Sequence, residues 1–306
     1  MDIEQERQRI ITTYGPWTAH NIRLAEGLYT IGERVVGDEI KLRRVVQIVA
    51  DSARKPFSEM RILDLACLEG LYAVEFARQG ATVVGIEGRE ANIEKARFAQ
   101  RALGLGNVTF VEDDVRNLSE EKYGLFDVAL CLGILYHLDR PDVFRFLEKI
   151  AAVCQGILVI DTHISLQPVV SSLYRGRRYW GRIHAEHHPS ATPGERLKQL
   201  WSSLDTPNSF WLTRASLFSF LKQVGFTSAH ECWVPVEARK PAGRITVLAV
   251  KGQPRQVLSA PLLGTHTDGE IRERAEWASP LFRLYYGLVN QARRVAKRVV
   301  QDRRWR

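Results

Sequence analysis

The chain has 306 residues, 45% of them hydrophobic and 25% charged, which is a globular balance with room for one large α/β domain or two small ones. No run reaches the roughly 18 consecutive apolar residues of a membrane-spanning helix, and the acidic, polar first seven residues lack the basic start and apolar run of a secretory leader. The net charge is +8, but residues 293–306 hold seven basic residues against one acid, so the charge describes a tail and is no ground for nucleic-acid binding by the body of the chain.

Taken in chain order, the first 55 residues read as partly helical, with helical apolar spacing over 40–48 closed by Lys55-Pro56. A short apolar strand at 61–65 leads to a helix over 71–79, stopped by Gly80. Strands are expected at 82–86, 108–111, 126–132 and 156–161, and helices at 90–103 and 141–153. The 126–132 segment is almost wholly apolar, the mark of a strand buried on both faces. From 163 to 210 the pattern breaks, and this Arg-, His-, Trp- and Tyr-rich stretch is expected to be a long irregular lid or binding loop. Thr213 caps a helix running to Val224 with Gly225 as its stop. Two last strands, 229–234 and 245–250, flank a turn at 240–243. Alternating strands and helices imply right-handed βαβ crossovers and a doubly wound, mostly parallel seven-stranded sheet, whose ligand sits at the carboxyl ends of the strands. The expected divisions are an N-terminal helical element (1–57), the α/β domain (58–252, with an insertion at 163–212) and a tail (253–306).

The strand ends carry the chemistry. Asp64 ends the first strand, and the turn Ala66-Cys67-Leu68-Glu69-Gly70 enters a helix N-terminus, where small residues let backbone approach a ligand. An acid there suits a cationic group better than a phosphate. Glu87, with Gly88 after it, ends the second strand about 20 residues on, the place for a carboxylate that accepts from both hydroxyls of a ribose. Asp114 and Val115 follow the third strand, where a carboxylate can accept from an adenine amino group. Cys131 and Gly133 end the fourth, under the remaining part of such a ligand. A dinucleotide such as NAD fits less well, because its pyrophosphate wants a Gly-rich turn free of acids. The four cysteines, Cys67, Cys131, Cys154 and Cys232, are scattered without metal-ligand spacing, and read as reduced thiols of a cytoplasmic protein.

On these residues, 61–138 resembles the class I S-adenosylmethionine-dependent methyltransferases. Asp64 matches the family's hallmark acid, Glu87 the ribose-binding acid and Asp114 the adenine-side acid, and 126–138 looks like its fourth-strand motif. The resemblance implies a Rossmann-like fold, S-adenosylmethionine as cofactor, and a cofactor site of Asp64, Ala66, Cys67, Gly70, Glu87, Gly88, Asp114, Val115, Cys131 and Gly133. The family's three turn glycines are here Ala66, Leu68 and Gly70, and Leu68 is expected to avoid a left-handed backbone. A looser resemblance, through 17–27 and 208–213, is to the group that carboxymethylates the wobble uridine of tRNA. In that group both elements close over the substrate side.

His137 and His163 lie where an acceptor would enter, and a near-neutral imidazole suits a base that takes a hydroxyl proton. Either is equally a packing or loop-capping histidine. Trp17, His20, His184, His187 and Trp211 are candidate substrate contacts, although the two tryptophans fit core packing as well. The spacing His184-x-Glu186-His187-His188 is no recognised zinc pattern, and no metal is expected. In the tail, Leu281, Tyr285, Leu288, Ala292, Val295, Ala296 and Val299 share one helical face, opposite Arg283, Arg294, Lys297 and Arg298. Such a basic amphipathic helix (281–306) docks on its own domain, lies at the inner membrane surface, or grips an acidic partner, nucleic acid being the weaker fit. The expected function is methyl transfer to a hydroxyl or amine of a small molecule, sugar or lipid. The alternatives are tRNA modification and non-catalytic cofactor binding.

Overall fold

A computed structural model describes residues 2–33, 39–238 and 240–259 of the chain. By its internal contacts the chain divides into two units, Met1–Arg255 and Gln256–Arg306, and the first is described here. The basic tail helix expected over 281–306 lies outside the described residues.

Helix α1 (Ile3–Tyr14) starts where Asp2 accepts from the Glu4 amide and ends at Gly15 with φ 79°. A two-stranded hairpin follows, β1 (Arg23–Ala25) and β2 (Leu28–Tyr29), and then α2 (Glu39–Ser52). Next come β3 (Arg61–Leu65), α3 (Leu71–Arg78), β4 (Thr82–Glu87), α4 (Glu90–Ala102), β5 (Val108–Glu112), the single turn α5 (Glu120–Tyr123), β6 (Phe126–Leu132), α6 (Asp142–Val153) and β7 (Cys154–His163). After an insertion come α8 (Arg214–Gln223), β11 (Ser228–Glu231) and β12 (Arg244–Val250). The main sheet has seven strands in the order β11-β12-β7-β6-β3-β4-β5, and only β12 runs against the others. Strand order reverses between β3 and β6, which opens a crevice at their carboxyl ends. Each central strand is buried on both faces because successive side chains serve two cores. Leu63 and Leu65 pack with α6 and α8, whereas Ile62 packs with α1, α2, α3 and α4.

The insertion departs from the irregular loop expected over 163–210. It is a second, three-stranded antiparallel sheet, ordered β10-β9-β8, with β8 (Val170–Tyr174), β9 (Arg177–Ala185) and β10 (Asn208–Leu212). A short helix, α7 (Pro193–Lys198), opens with a Thr192–Glu195 capping box between β9 and β10. The alternation in β9 is real: Tyr179 and Gly181 are buried, while Arg178, Trp180, Arg182 and His184 share the opposite face. Basic and aromatic residues on that face hid the period from a hydrophobicity count. Strand β11 also ends earlier than the 229–234 expectation, and Val234 is exposed. No described helix is long and apolar enough to cross a membrane.

Gly181 tests the second sheet. A Cβ there would lie 2.3 Å from the Trp211 carbonyl oxygen, a backbone atom that cannot swing away. Gly181→Ala should lower stability by about 1–3 kcal/mol in thermal unfolding, whereas a substitution in an irregular loop would leave the melting temperature unchanged.

Candidate active site

A cavity of about 220 Å³ opens at the carboxyl ends of β3, β4 and β6. Asp64, Ala66, Cys67, Leu68, Glu87, Gly88, Val115 and Gly133 line it from the sheet side. His20, Lys41, Tyr72, Tyr136 and His137 close its flanks, and Leu200 to Leu204 of the insertion cover it. Cys131 is not part of this wall. It is fully buried in the core beneath, where the hydrophobic surroundings push its thiol up to about 12.

The turn after β3 differs from the sequence expectation. Leu68 does adopt a left-handed backbone, with φ 49°, and so does Ala66, with φ 52°. Each such residue costs about 1–2 kcal/mol of backbone strain, and the turn is held by its hydrogen bonds. The Leu68 amide donates to Glu87 Oε2 at 3.0 Å, and the Cys67 amide to the Ile86 carbonyl at 2.9 Å. Gly70 serves packing and does not reach the cavity: at φ 85°, a Cβ on it would fall 2.8 Å from Ala96 Cβ. Its absence lets α3 approach α4.

Two carboxyls face the cavity without an ion pair among the described residues. Burial pushes Asp64 up to about 7, against one backbone N–H bond from Ala73, with the neighbouring Glu87 raising it further and Lys41 lowering it. Burial also raises Glu87, opposed by the bond from Asn92 Nδ2, the nearby Arg89 charge and the bonds from the Arg89 and Leu68 amides. The third acid is placed differently. Asp114 lies in an adjoining depression and is held by the Arg116 guanidinium, with Nε 2.9 Å from Oδ2, while Arg116 also reaches Asp205 of the insertion. The two hollows meet at Gly88 and Leu204.

Glu69, which sequence reasoning passed over, is fully buried and organises the N-terminal side. Its carboxylate accepts from the Thr18, Ala19 and His20 amides at 2.7, 3.2 and 3.0 Å and pairs with the buried Lys95. The segment is thereby pinned over the helix N-terminus. His20 Nδ1 accepts from the Leu71 amide at 3.1 Å, and the ring lines the cavity. Trp17 instead packs in the core against Phe98, at 5.6 Å between ring centroids.

Arg89, also missed, reaches from the end of β4 to the carbonyls of Leu197, Gln199 and Ser202 in the cover. His187 belongs to this fastening and not to the cavity wall. It is buried, with Nε2 2.8 Å from the Ser203 carbonyl and Nδ1 3.2 Å from Gln199 Oε1. His188 turns away to Ser190. Glu69 and Arg89 are isolated polar residues outside any hydrophobic period, so only the folded chain reveals their partners.

On the far wall, His137 Nδ1 lies 2.8 Å from Glu186 Oε2. Glu186 also accepts from Ser209 Oγ at 2.6 Å and the Ser203 amide at 3.0 Å. Burial would raise this carboxyl, but the bonds from His137, Ser209 and Ser203 outweigh it and hold it below its usual range. An ionised carboxylate only accepts, so His137 carries its proton on Nδ1 and leaves the Nε2 lone pair unshared with Glu186. His163 stands beside this pair in an aromatic group. It stacks on Trp211 at 4.8 Å and meets Tyr136 edge-on, and His184 stacks on Trp211 at 4.3 Å. Burial and the nearby Arg244 push His163 down to about 4, so it is neutral at physiological pH. Behind it, burial works against the Asp161 charge, but Arg244, Lys41 and Lys240 overcome this and hold it at about 2.

Residues 62–156 match the family profile described as "Methyltransferase domain". The ubiquinone biosynthesis O-methyltransferase of Maricaulis maris is 36% identical over 93 residues, covering 30% of this chain and 36% of that protein. Its counterpart from Rickettsia felis is 29% identical over 126 residues, covering 41% of this chain and 49% of that protein. The chain therefore spans less than half the length of these curated relatives. Among solved structures, the N-terminal domain of EvdMO1, crystallised in the presence of SAH and D-fucose, superposes with a TM-score of 0.63 at 26% identity. That match covers 82% of this chain and 98% of the other.

The depressed His163 sets a pH dependence of stability. Between pH 6.5 and about 4 the unfolded chain takes up a proton that the folded chain refuses, so this residue's contribution falls as the pH falls through that window. Denaturant unfolding at pH 7 and 4.5 should show a larger loss for the wild type than for His163→Phe. Equal losses would contradict the burial assigned here.

Proposed function

Because the chain carries a class I methyltransferase domain, we propose that it binds S-adenosylmethionine against Asp64 and Glu87 and methylates a hydroxyl of a small non-protein acceptor. The observation that carries this reading is the His137–Glu186 pair at the rim of a cavity whose floor holds two buried carboxyls that form no ion pair among the described residues. Those carboxyls fit the cofactor. A cationic amino acid group beside Asp64 would relieve its burial, and ribose hydroxyls would donate to the free lone pairs of Glu87. When bound, S-adenosylmethionine supplies a methyl group on a sulfonium, which departs as a neutral thioether.

The chain's own residues do the rest. Glu186 fixes the His137 tautomer and orientation, and His137 Nε2 accepts the acceptor's hydroxyl proton as the oxygen gains its methyl group. The ionised Glu186 then stabilises the imidazolium. His20, Lys41 and Tyr72 wall the cofactor side, and the cover at 200–204 excludes water. By sequence, we assign the basic run at 281–306, outside the described residues, to an anionic membrane surface. Sedimentation with anionic but not zwitterionic vesicles is the expected result, and equal recovery with both would overturn the assignment.

Three measurements test the site. Glu87→Ala should weaken S-adenosylhomocysteine binding in calorimetry by roughly 10- to 100-fold, since a charge-assisted hydrogen bond is worth about 1.5–3 kcal/mol; unchanged affinity would move the cofactor elsewhere. Asp64 is protonated below about 7, so cofactor affinity should fall as the pH drops from 8 to 6, by up to about tenfold per unit below 7, and this slope should vanish in Asp64→Asn. His137→Ala should lower kcat by about 10²- to 10⁴-fold while cofactor affinity holds; a near-normal kcat would remove it from proton transfer.

A further inference from the structure

Strand β9 turns one face toward the aromatic group beside His137, and Arg182 stands at its centre. Arg182 lies directly opposite Trp211 in the β9–β10 register, so the two side chains leave the sheet on the same side. The guanidinium carbon sits 4.0 Å from the Trp211 ring centroid. Its Nε is buried and has no hydrogen-bond partner, and the side chain forms no ion pair among the described residues. Other arginines around the site are differently placed. Arg244 bonds Asp161 at 2.7 Å, Arg116 bonds Asp114, and Arg89 bonds the carbonyls of the cover. Arg182 is therefore a half-withdrawn cation whose Nε, at the base of its planar donor fork, has no acceptor among the described residues. Stacking on an indole satisfies the guanidinium face but none of its N–H groups.

Its position relates it to the reacting group. Trp211 is 6.0 Å from Tyr136, and Tyr136 is 4.2 Å from His137, ring to ring. Arg182 is also close enough to His163 to help hold that imidazole neutral. Along the same face of β9, Trp180 is partly exposed two residues before Arg182 and offers apolar surface.

We propose that Arg182 seats an anionic group, carboxylate or phosphate, carried by the methyl acceptor, whose hydroxyl is thereby presented to His137. The acceptor is then an anionic hydroxy compound small enough to reach from β9 to the cavity rim. A planar guanidinium binds either anion through two parallel N–H···O bonds, and the stacked Trp211 fixes the plane of that fork. This assignment rests on the reading of His137 as the base.

The test uses calorimetry on the full chain saturated with S-adenosylhomocysteine, titrated with benzoate, phenyl phosphate and neutral benzamide. At least one anion should bind tenfold or more tighter than benzamide, and the tighter of the two identifies carboxylate or phosphate as the natural group. Arg182→Gln should remove that preference and leave S-adenosylhomocysteine affinity unchanged. Arg182→Lys should retain part of it, which separates lost charge from a disturbed sheet. Equal binding of all three probes, no measurable anion binding, or an undiminished preference in Arg182→Gln would overturn the proposal. So would weaker S-adenosylhomocysteine binding in Arg182→Gln, which would assign the guanidinium to the cofactor. A chain that fails to bind S-adenosylhomocysteine at all would instead defeat the methyltransferase reading, since the anion titrations can be repeated without it.

Discussion

Burying a carboxylate at the mouth of a parallel sheet is unfavourable unless something positive or donating meets it, and that constraint shapes this molecule. Glu69 meets three backbone N–H groups and Lys95, which fastens residues 18–20 over the turn after β3. Asp161 meets Arg244, Lys240 and Thr246, which fastens β12 and its preceding turn to β7. Glu186 meets His137, Ser209 and Ser203, which joins the second sheet to the sheet end. Asp64 and Glu87 differ from these in that burial outweighs the nearby Lys41 and Arg89 charges, and both are raised. Three buried acids hold the walls in place, and two face the space between them.

The central sheet was legible in the sequence because parallel strands buried on both faces are continuous apolar runs, and their helices begin and end on recognisable residues. The run 126–132 and the Thr213 cap needed no tertiary information. The strand-end acids were legible for the same reason, since a strand that ends on a charged residue stands out. The second sheet was not, because its site-facing side is made of Arg, Trp and His. The hairpin β1–β2 was too short to show a period. Helix α1, within the segment expected to be partly helical, could not be bounded because its polar exposed face leaves little apolar stripe, and Ile10 is its one buried residue.

Within the site, the sequence could nominate residue types but not partners. His137 was visible as a histidine after a strand, whereas its relation to Glu186, 49 residues away, depends on how β9 folds back. Glu69 lies inside the turn after β3 and reads in the sequence only as part of its glycine pattern. Its meaning lies in the amides of residues 18–20, about 50 residues earlier. Leu68 shows the reverse error. A propensity rule excluded a left-handed leucine, yet the Glu87 carboxylate bonds its amide and holds it there.

The Arg89 side chain gives the cover a latch with one pivot. It springs from the residue two places after Glu87, whose own Oε1 accepts the Arg89 amide, and its far end carries the carbonyls of 197–202. One planar group makes all of these bonds, so the loss of Arg89 alone would strip three carbonyls of the cover of their donor at once, leaving the His187 and Glu186 contacts to hold it. The position of the cover is thereby tied, through a single side chain, to the strand end that carries Glu87.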